Sequence, residues 1–209
     1  MKKWSMVCLA AAAFGVVASN SFAGNVSNER LLGSLTGDEA GNWLTNHGSF
    51  NSNRYSSLND INASNVSGLK LAYALPLGGG EGTAWGVPNV QVTPLANNGT
   101  LYISDPWGTP YKIDASSGKR ANILWIGDTG INKDPTYNAL VANRGLAIWE
   151  DLVITNLIDG RVIAFDDETG DIVWEKQVAT EQYEGFSAAP LAVSGKVIVG
   201  QAWGDWATR

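Results

Sequence analysis

The chain has 209 residues, 44% of them hydrophobic, and carries 14 Lys and Arg against 20 Asp and Glu for a formal net charge of −6. That acidic balance excludes the basic surface by which a protein holds nucleic acid or an anionic membrane. The composition is that of a globular chain, and nine Trp with 24 Gly point to stacked sheets joined by many tight turns.

Residues 1–23 read as a Sec signal peptide. Lys2 and Lys3 precede an apolar run over 6–18 that is short for a membrane span, and Ser21-Phe22-Ala23 is a small-x-small cleavage site. The mature chain then begins at Gly24, and 24–209 is one domain without a linker. Cys8, the only cysteine, lies inside the apolar run, away from the cleavage site. This argues against a lipid anchor and leaves the mature chain without a disulfide in an oxidising compartment. Without Lys2 and Lys3 the balance is 12 basic against 20 acidic residues.

Residues 24–48 form a short irregular or helical lead-in, with capping chemistry around Asn28 and Thr36. The alternation in Leu69-Lys-Leu-Ala-Tyr-Ala-Leu75 predicts a strand. A Gly-rich loop follows over 78–89. Strands are then expected near 90–95, 100–104, 110–114, 123–126, 145–149, 152–156, 161–165, 172–178, 186–193 and 196–200, with little helix after residue 45.

One run organises these strands. Ala164-Phe-Asp166-Asp-Glu-Thr169-Gly170-Asp-Ile-Val-Trp174 has the form A-x-D-x-x-T-G-x-x-x-W. Ala164 is small enough for a tight sheet-to-sheet contact. Asp166 and Thr169 can accept from nearby backbone N–H groups, and Gly170 supplies the left-handed turn conformation. Trp174 offers a flat face to a neighbouring unit. Ile113-Asp114-Ala-Ser-Ser117-Gly118 repeats the turn in degraded form, with Trp125 displaced downstream. Thr93-Pro94-Leu95, Ala147-Ile148-Trp149 and Ala189-Pro190-Leu191 open three versions of one hairpin, whose turn residues Gly99, Asp151 and Gly195 lie 52 and 44 residues apart. A period in this range means one supersecondary unit per repeat, as in a propeller or solenoid.

The expected fold is therefore all-β: about three blades of a β-propeller, an incomplete ring. Three blades alone would leave an exposed apolar flank and long free edges. The chain thus reads as the N-terminal part of a longer protein; the alternative is a short protein that closes a ring by oligomerising.

In this order the residues resemble the pyrroloquinoline quinone (PQQ)-dependent alcohol dehydrogenases, the methanol/ethanol dehydrogenase type with an eight-bladed propeller. The resemblance runs through Asn42-Trp43, Arg54-Tyr55-Ser56, Ile61-Asn62, Gln91-Val-Thr-Pro-Leu95, Asn143-Arg144-Gly145, the Ala164–Trp174 run and Gly195-Lys-Val-Ile-Val-Gly200. It implies PQQ and calcium (or a lanthanide) as cofactors, a small primary alcohol oxidised to an aldehyde in the periplasm, and a c-type cytochrome as electron acceptor. No membrane anchor and no nucleic-acid partner are expected.

Residue by residue, the resemblance places Arg144 at a PQQ-contacting arginine, whose planar fork suits a carboxylate or quinone oxygen. Ser187 stands where the family has Thr and keeps the hydroxyl. Gln91 stands at a Glu that contacts the cofactor; it retains hydrogen bonds and loses charge. Asp205 falls at a metal-binding Glu and still offers calcium a carboxylate. The chain departs from the family at Asn138-Ala139, where many members carry a vicinal disulfide, and at Ala202-Trp203, where they carry small residues. The general base, a second metal ligand and a stacking Trp are expected beyond residue 209, so no catalytic residue is assigned. His47, the sole histidine, is expected to be a plain polar residue. The same blade motif also occurs in non-enzymatic propeller scaffolds that assist outer-membrane protein assembly, which is the alternative function.

Overall fold

Three hairpins set the architecture, and each turns on residues in the left-handed region. Asn98 and Gly99 have φ of 48° and 82°, Glu150 has 51°, and Ser194 and Gly195 have 47° and 71°. The computed structural model describes residues 25–202 apart from 84, 85, 87, 135–140, 182 and 183. The leader and Asp205 lie outside the described residues, as do Asn138-Ala139 and Trp203.

A lead-in helix, α1 (Asn28–Leu32), starts from Ser27, whose hydroxyl accepts from the Arg30 N–H. The first sheet is a meander of β2 (Leu95–Asn97), β3 (Thr100–Ser104), β4 (Pro110–Asp114) and β5 (Asn122–Ile126). The second repeats it with β7 (Ala147–Trp149), β8 (Leu152–Asn156), β9 (Arg161–Asp166) and β10 (Ile172–Gln177). The third unit is partial: β12 (Leu191–Val193) pairs with β13 (Lys196–Ile198), and β11 (Gly185–Phe186) with β14 (Gln201–Ala202). The remaining pair, β1 (Asn89–Val90) and β6 (Ala142–Asn143), is parallel and ties the first unit to the second. The expected all-β fold of three stacked units is what the chain forms, and the ring is not closed.

The core is the space between sheets, and the two-residue period of a strand decides which residue faces which neighbour. Val153, Ile163 and Phe165 of the second sheet pack toward Leu95, Tyr102 and Trp125 of the first. Their neighbours Ile154, Val162 and Ala164 pack the other way, with Phe186 and Ala192 of the third unit and the half-buried Trp174. Strands β8 and β9 are thus covered on both faces, which explains their near-continuous apolar sequence. Val26, Leu31 and Leu44 of the lead-in join the first cluster. The lead-in is stitched on by backbone bridges from Val26 to Glu150 and from Trp43 to Ala96.

The docking run behaves as its residues predict. The Asp166 carboxylate accepts from the N–H groups of Glu168 and Thr169, the Thr169 hydroxyl accepts from Asp171, and Gly170 has φ of 77°. The adjacent Asp167 has a different task. It is buried between the sheets, where the Lys112 ammonium donates to its carboxylate at 2.9 Å and to its carbonyl at 2.8 Å. The Trp125 indole N–H donates to the same carbonyl at 2.8 Å. Burial is the main cause that raises the Asp167 carboxyl above the ordinary carboxylate range, against the lowering effect of Lys112 and Tyr102.

Some expected strands break up or do not form. Residues 69–75 form no strand and have no ladder partner among the described residues, and Leu71 is 84% exposed, because alternation without a partner makes no sheet. The spans expected at 90–95 and 186–193 are interrupted, and the one expected at 145–149 begins only at Ala147. Pro94 and Pro190 lack the N–H a ladder needs, and Gly145 takes φ of 141°. Apolar side chains of the 55–71 segment, Tyr55, Leu58, Ile61 and Leu69 among them, are more than half exposed. No helix among the described residues is long and apolar enough to cross a membrane.

Candidate functional site

The three breaks fall side by side. Gln91, Asn143 and Ser187 each stand seven residues ahead of their hairpin turns at Asn98, Glu150 and Ser194. Because the chain leaves the ladder there, its backbone groups bond sideways to the next unit. The Thr93 N–H donates to the Arg144 carbonyl at 3.2 Å, and the Arg144 N–H donates to the Ser187 carbonyl at 3.0 Å. The innermost segments of three consecutive units are therefore laced at one level, with Arg144 in the middle.

Side chains complete the fixing of Arg144. Its guanidinium donates to the Ser187 hydroxyl at 2.7 Å and to the Ser187 carbonyl at 3.3 Å. The Asn46 amide donates to the Arg144 carbonyl at 3.0 Å. Asn143, buried beside it, accepts from the Ser104 hydroxyl and from the Gly145 N–H, and donates to the Asn156 carbonyl. Gly145 has to be glycine. Besides its φ, a Cβ there would lie 3.0 Å from the Asn46 amide and 3.4 Å from both the Thr93 carbonyl and Ala189. Only a hydrogen lets lead-in, first unit and third unit converge on this point.

Arg144 and Gln91 line a cleft of about 430 Å³, a size that holds a small ligand. Gln91 is exposed, and its amide has no hydrogen-bond partner among the described residues. Ser187 stands behind Arg144 as its support. Thus Arg144 lies beside Gln91 on the cleft wall and is hydrogen-bonded to Ser187, and Asp205 lies outside the described residues. Among the described residues no cluster of three metal-ligating side chains occurs.

Sequence reasoning missed part of the cleft. His47 lies on its wall together with Arg54, and the Arg54 guanidinium contacts His47 Nδ1 from Nε at 2.9 Å and from Nη2 at 2.6 Å. His47 is thus a polar residue with a defined partner in Arg54. The signal available was Arg54-Tyr55-Ser56 itself, read for its resemblance and not for its charge. The cleft also carries Thr45, Asn46 and Thr93, and no carboxylate lines it among the described residues. Two guanidiniums, two amides and hydroxyls suit an anionic ligand rich in hydrogen-bond acceptors, so the donor set fits a carboxylate-bearing quinone.

A second cleft of about 360 Å³ is lined by Gly78, Gly79, Asp105, Tyr111, Asp128 and Lys133, among others. Asp105 is 1% exposed and accepts from the N–H groups of Trp107 and Thr109. Burial pushes its carboxyl above the ordinary range despite those bonds.

Residues 43–209 match the family model of the PQQ glucose/ethanol/alcohol dehydrogenase β-propeller domain. The chain is 34% identical over 178 residues to the quinohemoprotein alcohol dehydrogenase ADH IIB of Pseudomonas putida, covering 83% of this chain and 24% of that one. It is 31% identical over 217 residues to the dehydrogenase subunit of the quinone alcohol dehydrogenase of Gluconobacter oxydans, covering 100% and 27%. Among solved structures, quinohemoprotein alcohol dehydrogenase ADHIIG of Pseudomonas putida superposes with a TM-score of 0.75 at 28% identity, over 86% of this chain and 25% of that one. A europium-containing methanol dehydrogenase superposes with a TM-score of 0.66 at 30% identity, over 80% and 28%. The chain spans about a quarter of the length of the curated relatives it matches. With three units laced around Arg144 and this match over most of its length, the chain belongs to the quinoprotein (PQQ-dependent) alcohol dehydrogenase β-propeller family.

Proposed function

We propose that this chain contributes the Arg144 side of the cofactor site in a periplasmic quinoprotein dehydrogenase that oxidises a primary alcohol to an aldehyde. The observation that carries the reading is that Gln91 and Arg144, from two successive units, line one cleft with no carboxylate among its described residues, while Ser187 of the third unit holds Arg144 from behind. PQQ supplies what no side chain of this protein can, an acceptor for the hydride that leaves the alcohol carbon. Arg144 would bind a carboxylate or quinone oxygen through its fork, held in direction by Ser187. Gln91 would add a hydrogen bond without charge. Asp205 is proposed as a ligand to calcium or a lanthanide, whose charge would polarise the reacting carbonyl. No Asp or Glu of this chain is assigned the role of general base. Residues 1–23 are proposed as the Sec leader, 24–209 as propeller domain, and a c-type cytochrome as electron acceptor.

The test is titration of the protein carrying every residue its gene encodes with PQQ, read by quenching of tryptophan fluorescence. Wild type binds, and Arg144→Ala weakens binding by roughly tenfold or more, as loss of a charge-assisted contact requires. Equal affinity of the two proteins would remove Arg144 from the site, and absence of binding by wild type would end the cofactor reading. Dye-linked oxidation of primary alcohols by the loaded protein tests the activity.

A further inference from the structure

The cleft holds more positive charge than Arg144 alone supplies. Arg54 shares its wall, and neither arginine forms an ion pair with a described residue. In a chain of net charge −6, two guanidiniums lining one cavity, neither ion-paired among the described residues, make a local focus of positive potential. Arg54 is also held in place. An arginine has donors only, so His47 Nδ1, 2.9 Å from Nε and 2.6 Å from Nη2, must present its lone pair to the fork. This fixes one edge of the guanidinium and leaves Nη1 without a partner among the described residues. The backbone that delivers it is itself unusual: Ser52 and Arg54 have φ of 55° and 53°, left-handed values that side chains other than glycine avoid. Such conformations persist where something else requires them, and binding sites are where they cluster.

We propose that Arg54, oriented by His47, is a second cationic contact for the carboxylates of the bound quinone, in addition to Arg144. A ligand with several carboxylates needs more than one counter-charge, and a single guanidinium forks to only one of them. Arg54 contacts the ligand; His47 is a positioning residue that acts through Arg54. The proposal rests on the cofactor reading above, and its test separates the two.

The affinities of PQQ and of its trimethyl ester, in which the carboxylate charges are removed, are measured by fluorescence quenching on the complete gene product. Arg54→Ala weakens PQQ binding roughly tenfold or more and leaves the affinity for the ester unchanged. Arg54→Lys, which keeps the charge and loses the fork, lies between. His47→Ala weakens PQQ binding in the wild-type background and has no effect when Arg54 is already Ala. Unchanged thermal midpoints show that each variant is folded. If Arg54→Ala binds PQQ as wild type does while Arg144→Ala does not, this proposal is overturned and the cofactor reading stands. If Arg54→Ala weakens PQQ and ester alike, the contact is not to the carboxylates and the proposal is also overturned. If wild type binds neither ligand, both readings fail together.

Discussion

The indole of Trp125 lies flat on Gly170. A Cβ at Gly170 would sit 2.8 Å from two of its ring carbons, closer than any real contact. Trp125 belongs to the outer strand of the first sheet and Gly170 to the turn of the second. The glycine of the docking run is therefore a seat for the tryptophan of the preceding unit. The same indole stacks on Phe165, with centroids 6.4 Å apart, and donates to the Asp167 carbonyl. One side chain thus joins two sheets through contact area, ring packing and a hydrogen bond.

Substitution at this seat separates space from backbone conformation. Gly170→Ala is expected to destabilise by about 2–4 kcal/mol, from a left-handed non-glycine residue together with a displaced Trp125. Gly118→Ala provides the comparison. It has φ of 61° with nothing within 4 Å of the added carbon, so its cost is about 1–2 kcal/mol from conformation alone. Urea unfolding of the two variants measures the difference, and equal losses would show that Trp125 moves aside freely.

The buried pair of Lys112 and Asp167 is the polar counterpart of that contact. Lys112→Met should cost about 3–5 kcal/mol at neutral pH, because it strands a carboxylate between the sheets. The double variant Lys112→Met, Asp167→Asn should recover part of the loss. The Asp167 carboxyl already titrates above its ordinary range, so acidification neutralises it and should shrink the penalty of Lys112→Met. A penalty that does not change with pH would mean that the loss lies in packing and not in charge.

Asp105 gives a pH dependence of definite sign. Its carboxyl is raised by burial above the unfolded value of 3.8, so the folded state holds the proton where the unfolded state has lost it. Stability from this group is therefore present below 3.8 and falls as pH rises toward the raised value. Asp105→Asn lacks that loss, while its amide oxygen can still accept from Trp107 and Thr109. The thermal midpoint of the variant relative to wild type should climb as pH rises from about 4 toward neutrality. A difference independent of pH would contradict the assignment.

Ser187 tests the fixing of Arg144. Ser187→Ala removes the acceptor at 2.7 Å and should weaken PQQ binding by roughly three- to tenfold, the worth of one hydrogen bond that orients a charge. The melting temperature should stay where it is, since Ser187 is only half-buried. Ser187→Thr should restore affinity by returning the hydroxyl. Loss of affinity in both variants would point to crowding at the strand end.

The sequence by itself determined the repeat, because the chemistry of its turns is local. Asp166, Thr169 and Gly170 carry their own hydrogen-bonding and φ preferences wherever the strand goes, and Ala164 and Trp174 declare by size which contact they can make. Arg144, Gln91 and Ser187 were singled out through family likeness, and each keeps its place in a recurring unit. Several features were decided only by tertiary structure, for the common reason that each depends on residues remote in sequence. Leu69 to Leu75 alternate like a strand, yet with no partner ladder among the described residues they form none. Pro94, Gly145 and Pro190 look like separate local breaks until stacking puts them side by side and turns the freed backbone into a lacing around Arg144. Arg54 belongs to a run legible only by family likeness, and only the folded chain brings it and His47 to the cleft beside Arg144. Asp167 likewise reads as one more acidic turn residue. Its partner Lys112 is 55 residues away, and burial between two sheets is what makes the pair matter.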